Sequence, residues 1–353
     1  MRSIVFLTLA ILLHPWPAGA QTPAPPANAP APPPPEDRRT RQIIPFLERS
    51  YLFRSNESDL VFEAAVFPHL VLWQNFDDFV DARVKRQTGG RNYWALSLTP
   101  GVHLKMFKGF SNPVRTPSYM PRIDVQHLWS TNYTEAIGAL DRRSRTSVDI
   151  WEFHGAIRHH SNGQDGCLFR APTQTRVGDA CVPSFADGTG RDLVNQDVVN
   201  KENGSFSTND VRGGLNFRRT DLYVSGEGRR DLSLGIEYQR QFWTDPDLKP
   251  FYALNRVNAL LVGAWANVKG CSSRLEAALT ASVAVDHPMA GVSRYGRAMQ
   301  VSCFPSNKGG FGVFAKWYAG QDDYNLGFLD NISRIQFGIT FNQDGFFRFR
   351  PPR

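Results

Sequence analysis

Three features of the sequence predict an all-β chain, a transmembrane antiparallel β-barrel of about twelve strands behind a cleaved signal peptide and a proline-rich spacer. The first residues have the build of an export signal. Beyond them, short apolar runs alternate residue by residue with polar ones between Gly, Asn, Asp and Pro. No later stretch approaches the ~18 consecutive apolar residues of a membrane helix, so membrane residence would require a barrel.

The elements follow in chain order. Arg2, the apolar run Ile4 to Leu13, and the small triplet Ala18, Gly19, Ala20 predict a signal peptide over 1–20, cut before Gln21. No Cys follows the cut, which argues against a lipid anchor. Thr22 to Pro35 is almost wholly Pro and Ala, a composition that stays extended and builds no core. Residues 21–40 therefore read as a disordered spacer. Residues 48–342 form the barrel, with room for about twelve strands of ~10 residues and their connections. Residues 343–353 read as a C-terminal extension.

The last strand shows the pattern plainly. Ile335, Phe337, Ile339 and Phe341 alternate with Arg334, Gln336, Gly338 and Thr340. Val102, Leu104 and Met106 do so around His103 and Lys105, and Leu232, Leu234, Ile236 and Tyr238 around Ser233, Gly235 and Glu237. In a soluble sandwich the apolar face would be the core; in a membrane barrel it would face lipid. Polar faces this rich in charge suit a hydrogen-bonded lumen better than an open surface.

The formal charge of +7 is compatible with an anionic membrane surface such as lipopolysaccharide, and equally with nucleic acid. Export and the absence of a nucleic-acid motif favour membrane lipids and no nucleic acid. Four cysteines in an exported chain predict disulfides. Cys167 and Cys181 share one polar segment, and Cys271 and Cys303 lie beside two turns at the same end of a meander. Those two local pairings are the economical ones.

The segment Trp151 to Gly163 carries the candidate chemistry. Counting by twos, Trp151, Phe153, Ile157, His159 and Ser161 share the apolar face, whereas Glu152, His154, Arg158 and His160 share the other. His159 and Ser161 are neighbours on one face, within reach for an imidazole to act as base to a hydroxyl. In a second segment Ser205, Ser207, Asn209 and Val211 share the apolar parity. If the two strands pair, the Asn209 amide oxygen can accept from His159 and fix its tautomer. Asp210 has the wrong parity for that task, and His160 points to the lumen.

The run His159, His160, Ser161, Asn162, Gly163 resembles the H-x-S-N-G block of the bacterial outer-membrane phospholipase A family. Ser205 to Asn209 resembles its S-x-S-x-N segment, Ser111 to Arg115 with Tyr119, Met120 and Pro121 a third block, and Asp323 to Asn342 its closing strands. The resemblance extends from about Glu48 onward. It implies a calcium-dependent phospholipase A1/A2 in the bacterial outer membrane, cleaving sn-1 and sn-2 acyl esters of phospholipids and lysophospholipids, active as a homodimer. It further implies Ser161 as nucleophile, His159 as base, Asn209 as orienting residue and the Gly163 amide as oxyanion donor. Calcium would be held by the Ser205 hydroxyl and the Gln164 carbonyl, with a carbonyl near Ser111 or Asn112 of a second subunit.

Two features depart from that pattern. Gln164 to Gly204 is a long polar insertion containing Cys167 and Cys181, and the chain runs past its last strand from Asp344 to Arg353. The competing functional reading is a catalytically silent barrel, porin-like or structural. A soluble sandwich is the third.

Overall fold

The computed structural model describes residues 48–341 except 58, 76–92, 109–113, 115–116, 136–144, 170–198, 201–203, 224–228, 246–247, 250–251, 269–270, 287–291, 306–309, 323 and 325–326. Residues 1–20, 21–40 and 343–353, read above as signal, spacer and extension, lie outside the described residues, as do Ser111, Asn112 and Cys181.

Thirteen strand segments follow one another: β1 Ser50–Ser55, β2 Leu60–Val66, β3 Leu70–Gln74, β4 Tyr93–Phe107, β5 Ser118–Glu135, β6 Arg145–Ser161, β7 Ser207–Tyr223, β8 Arg229–Phe242, β9 Asn255–Val268, β10 Cys271–Ala284, β11 Tyr295–Phe304, β12 Phe311–Gln321 and β13 Asn331–Phe341. Each neighbour pair is antiparallel, and β1 pairs with β13 while β2 pairs with β4, so the sheet closes. β2 and β3 are two halves of one stave, since both pair with β4, at Val66↔Val102 and Leu70↔Leu98. Pro68, between them, has no N–H to give the ladder. Phe67 turns inward there, and a Cβ on Gly101 would come within 2.8 Å of the Phe67 ring, so that position needs glycine. The result is the twelve-stave antiparallel barrel that the sequence predicts.

The faces are inverted relative to a soluble protein. Ile123, Phe153, Ile157, Leu234, Ile236 and Phe337 are exposed, whereas Glu152, Asp210, Gln126, Thr208 and Gln239 are buried. Hydrophobic burial would drive the outer residues out of water, so this wall requires lipid. The chain is an outer-membrane β-barrel protein. An aromatic row, Trp129, Trp151 and Phe217, crosses the wall at one level, in register across β5, β6 and β7.

The lumen is held by partnered charge. Asp210 accepts from Arg158 Nε and Arg212 Nε, both at 2.7 Å. Glu152 accepts from Asn216 Nδ2 at 2.5 Å and from Gln126. Glu48 enters the bore ahead of β1 and pairs with Arg122 at 2.8 Å. An ion taken into a low-dielectric bore costs several kcal/mol unless opposed, so removing one partner of such a pair is destabilising. A lumen cavity of about 530 Å³ remains between them.

The end of the barrel with the longer connections is capped. Leu168, Phe169, Val199, Phe206, Leu248, Tyr252 and Phe328 form one buried apolar cluster. Phe206 precedes β7 and Phe328 precedes β13, six staves apart in either direction around the ring, yet their ring centroids are 6.3 Å apart. A contact between opposite walls can only lie across the mouth. The described ends of the Gln164 to Gly204 insertion are therefore part of a lid over the lumen. At the other end Cys271 and Cys303 form the expected disulfide. Cys167 is disulfide-bonded.

Candidate active site on the outer wall

β6 and β7 pair without a break from Arg145↔Tyr223 to Ser161↔Ser207, which sets His159 directly opposite Asn209. Directly opposed residues of an antiparallel pair project to the same face. The flanking residues of equal parity, Ile157 and Val211, are exposed apolar residues of the lipid wall. His159 Nδ1 lies 3.0 Å from Asn209 Oδ1. An amide oxygen only accepts, so Nδ1 is the donor in this bond, and in the neutral ring the Nε2 lone pair is then free to act as a base. Ser161 is the next residue on that face, closes β6, and is flanked by Tyr119 and Ser207 on the neighbouring strands.

The same alternation sends the competing residues inward. His160 is 2% exposed and meets the Phe206 ring edge-on at 4.7 Å. Asp210 is fully buried between its two arginines. His154 lies in the bore, 3.2 Å from Glu237. Asp165 is exposed in the turn beyond β6.

That turn is organised by a residue to which the sequence reading gave no part. Asn162 is 1% exposed; its Nδ2 donates to the Gly204 carbonyl at 2.6 Å, and its Oδ1 accepts from the amides of Phe206 at 3.1 Å and Gln164 at 3.3 Å. One amide side chain thus ties the end of β6 to the approach to β7. Its sequence signal was its place in the H-x-S-N-G block, between Ser161 and a glycine. Gly163 adopts φ +68°, a region that strains any side-chain-bearing residue, and a Cβ there would meet the Tyr119 ring at 3.4 Å.

Beyond the turn, Gly166 and Gly204 form a parallel bridge and the Ser205 amide donates to the Gly166 carbonyl at 2.7 Å. Ser205 is thereby brought to the turn that carries the exposed Gln164. Hydroxyl and carbonyl oxygens with access to water are the donor chemistry of a hard cation such as calcium. Among the described residues no group of three or more His, Cys, Asp or Glu gathers to hold a metal ion, here or elsewhere.

No family model matches the chain, and no curated protein does. Among solved structures, the outer membrane phospholipase from Salmonella typhi, a dimer with bound calcium, is similar at 13% identity and a TM-score of 0.42, over 84% of this chain and 93% of that one. Outer membrane phospholipase A from Escherichia coli is similar at 13% identity and a TM-score of 0.43, over 87% of this chain and 95% of that one. An active-site mutant of the same protein gives 13% identity and a TM-score of 0.41 over the same shares.

Proposed function

We propose that this barrel is a calcium-dependent serine hydrolase of the phospholipase A family, cleaving the sn-1 and sn-2 acyl esters of phospholipids and lysophospholipids from the outer wall of the membrane. The observation that carries the reading is the hydrogen bond from His159 to Asn209 on a lipid-facing surface, one residue pair below Ser161. Lipid offers no partner to such groups, and holding them there has no structural return.

In this reading Ser161 Oγ attacks the ester carbonyl carbon while His159 Nε2 takes the hydroxyl proton. Asn209 Oδ1, accepting from Nδ1–H, holds the ring and stabilises the imidazolium that forms. The tetrahedral oxyanion accepts from the Gly163 amide. Collapse expels the lysophospholipid or glycerophosphate alkoxide, which takes the proton back from Nε2 and leaves an acyl ester on Ser161. Water, deprotonated by His159, then releases the fatty acid and restores the serine. Calcium, held by Ser205 and Gln164 with a carbonyl near Ser111 or Asn112 of a second copy, would supply positive charge beside the oxyanion. A homodimer follows from that shared shell and would enclose the acyl chain between two walls.

The silent barrel is the second reading. The apolar cluster across the mouth speaks against a porin, since it fills the route an open channel needs. Fatty-acid release from phosphatidylcholine by detergent-refolded protein, with calcium or chelator, tests the choice. Calcium-dependent release that disappears in Ser161→Ala is expected. No release from a folded dimer in any condition would sink the esterase reading.

A further inference from the structure

We propose that Arg240 is the phosphate-binding residue of the substrate site, the group that selects glycerophospholipids over uncharged esters. This rests on the esterase reading given above.

Arg240 lies on β8 at the parity of Leu232, Leu234, Ile236 and Tyr238, all exposed on the lipid wall. It is itself exposed, and among the described residues its side chain has no hydrogen bond or ion pair. A cation on a lipid-facing wall is costly at depth and tolerated at the headgroup level, where it can meet phosphate. Its depth can be read from the strand ends. β6 ends at Ser161 and β8 at Phe242, so His159 and Arg240 each lie two residues below the rim.

The register fixes its distance from the site. Asn209 is opposite Phe242 and Val211 is opposite Arg240. Arg240 therefore stands one stave beyond Asn209 and two beyond His159, roughly 12 Å from His159 between backbones, from a strand spacing of ~4.8 Å and a rise of ~3.3 Å per residue. A guanidinium on its long stem closes much of that gap, and glycerol sets the phosphate only a few bonds from the acyl esters. A bidentate arginine–phosphate contact is the expected geometry.

Its surroundings leave the cation available. Asn255, opposite Arg240 on β9, accepts from the Tyr238 hydroxyl at 2.5 Å. The nearby carboxylate, Asp286, is occupied by the amides of Leu254 and Asn255 and by Asn255 Nδ2, each at 2.8 Å, and makes no ion pair with Arg240. Trp243, above it, is 83% exposed with φ +48°, a conformation a bulky side chain adopts only under constraint. With Phe242 it forms an aromatic ledge beside Asn209.

The phosphate could belong to the substrate or to lipopolysaccharide, and the test separates them. In Ser161→Ala protein, binding of short-chain phosphatidylcholine, of diacylglycerol of equal chain length and of labelled lipopolysaccharide would be measured by equilibrium dialysis. Arg240→Gln should weaken phosphatidylcholine binding about tenfold, leave diacylglycerol unchanged, and be partly rescued by Arg240→Lys. With Ser161 present, the same substitution should raise KM for lysophosphatidylcholine and not for monoacylglycerol, with kcat retained. Equal effects on both esters, no effect, or a loss confined to lipopolysaccharide would each overturn the proposal. If phosphatidylcholine binding depends on Arg240 while the wild type hydrolyses nothing, the phosphate site stands and the esterase reading falls.

Discussion

Asn209 and Asp210 are consecutive on β7, and they sit in two different media. Asp210 faces the bore, fully buried, its carboxylate shared by Arg158 and Arg212. Asn209 faces lipid and touches one partner, His159. The lumen is polar because a narrow barrel must fill its bore with groups that satisfy one another. The outer wall is apolar by default, so each polar residue on it needs a separate reason. The difference gives a rule for this molecule: polar groups inside report on stability, and polar groups outside report on function.

The largest effect that would sharpen this contrast is on the outer wall. Ser161→Ala should lower fatty-acid release at least ~10⁴-fold, while unfolding free energy stays within about 0.5 kcal/mol of wild type. Release and urea unfolding, measured on the same preparation, check both halves. A marked loss of stability would mean that Ser161 also serves the fold.

Inside, Asp210→Ala should destabilise by about 3–5 kcal/mol, because it leaves two guanidinium groups buried without their common counter-charge. Urea titration followed by the heat-modifiable shift on gels reads this. A loss under ~1 kcal/mol would break the comparison, since it would show that water in the bore can replace the carboxylate.

Asn209→Ala is expected to have a smaller effect than either. Release should fall about 10- to 100-fold, since the imidazole keeps its base but loses the group that fixes its tautomer. Stability should hardly change. Rescue by Asn209→Asp, which restores an acceptor for Nδ1–H, would support an orienting role, and an unchanged rate in Asn209→Ala would remove Asn209 from the site.

Much of this was legible in alternation alone. Parity placed His159, Ser161 and Asn209 on the apolar face and His160 and Asp210 on the other, and all five lie so. Cys271 and Cys303 were legible because two turns at one end of a meander bring their neighbours together. What escaped depends on distances across the ring. Phe206 and Phe328 meet across the mouth although β7 and β13 are diametrically opposed, and no local pattern carries that. Arg240 is one exposed charge among several until the β7–β8 register sets it opposite Val211, two residues along β7 from Asn209. Asn162 was visible within its block, but two of its three hydrogen bonds reach residues some forty positions away, Gly204 and Phe206. The broken stave at Pro68 was missed because each half resembles a short strand of its own.

The smallest effect concerns the rim, where the two media meet. Asp322, just past the end of β12, is buried, which by itself would raise its pKa; Lys105 at 3.0 Å and Arg334 at 3.1 Å outweigh that burial and hold it below the usual carboxylate value. A carboxyl whose pKa is depressed on folding contributes stability above its unfolded value, and that contribution is lost as pH falls through the folded value. Wild-type protein should therefore lose unfolding free energy below about pH 4, and Asp322→Asn should lose less over the same range while starting lower at neutral pH. Urea midpoints from pH 7 down to pH 3 make the comparison. Parallel curves for the two proteins would show that the acid sensitivity arises from the bore carboxylates instead, and would move the boundary between the two media from the rim to Asp210 and Glu152.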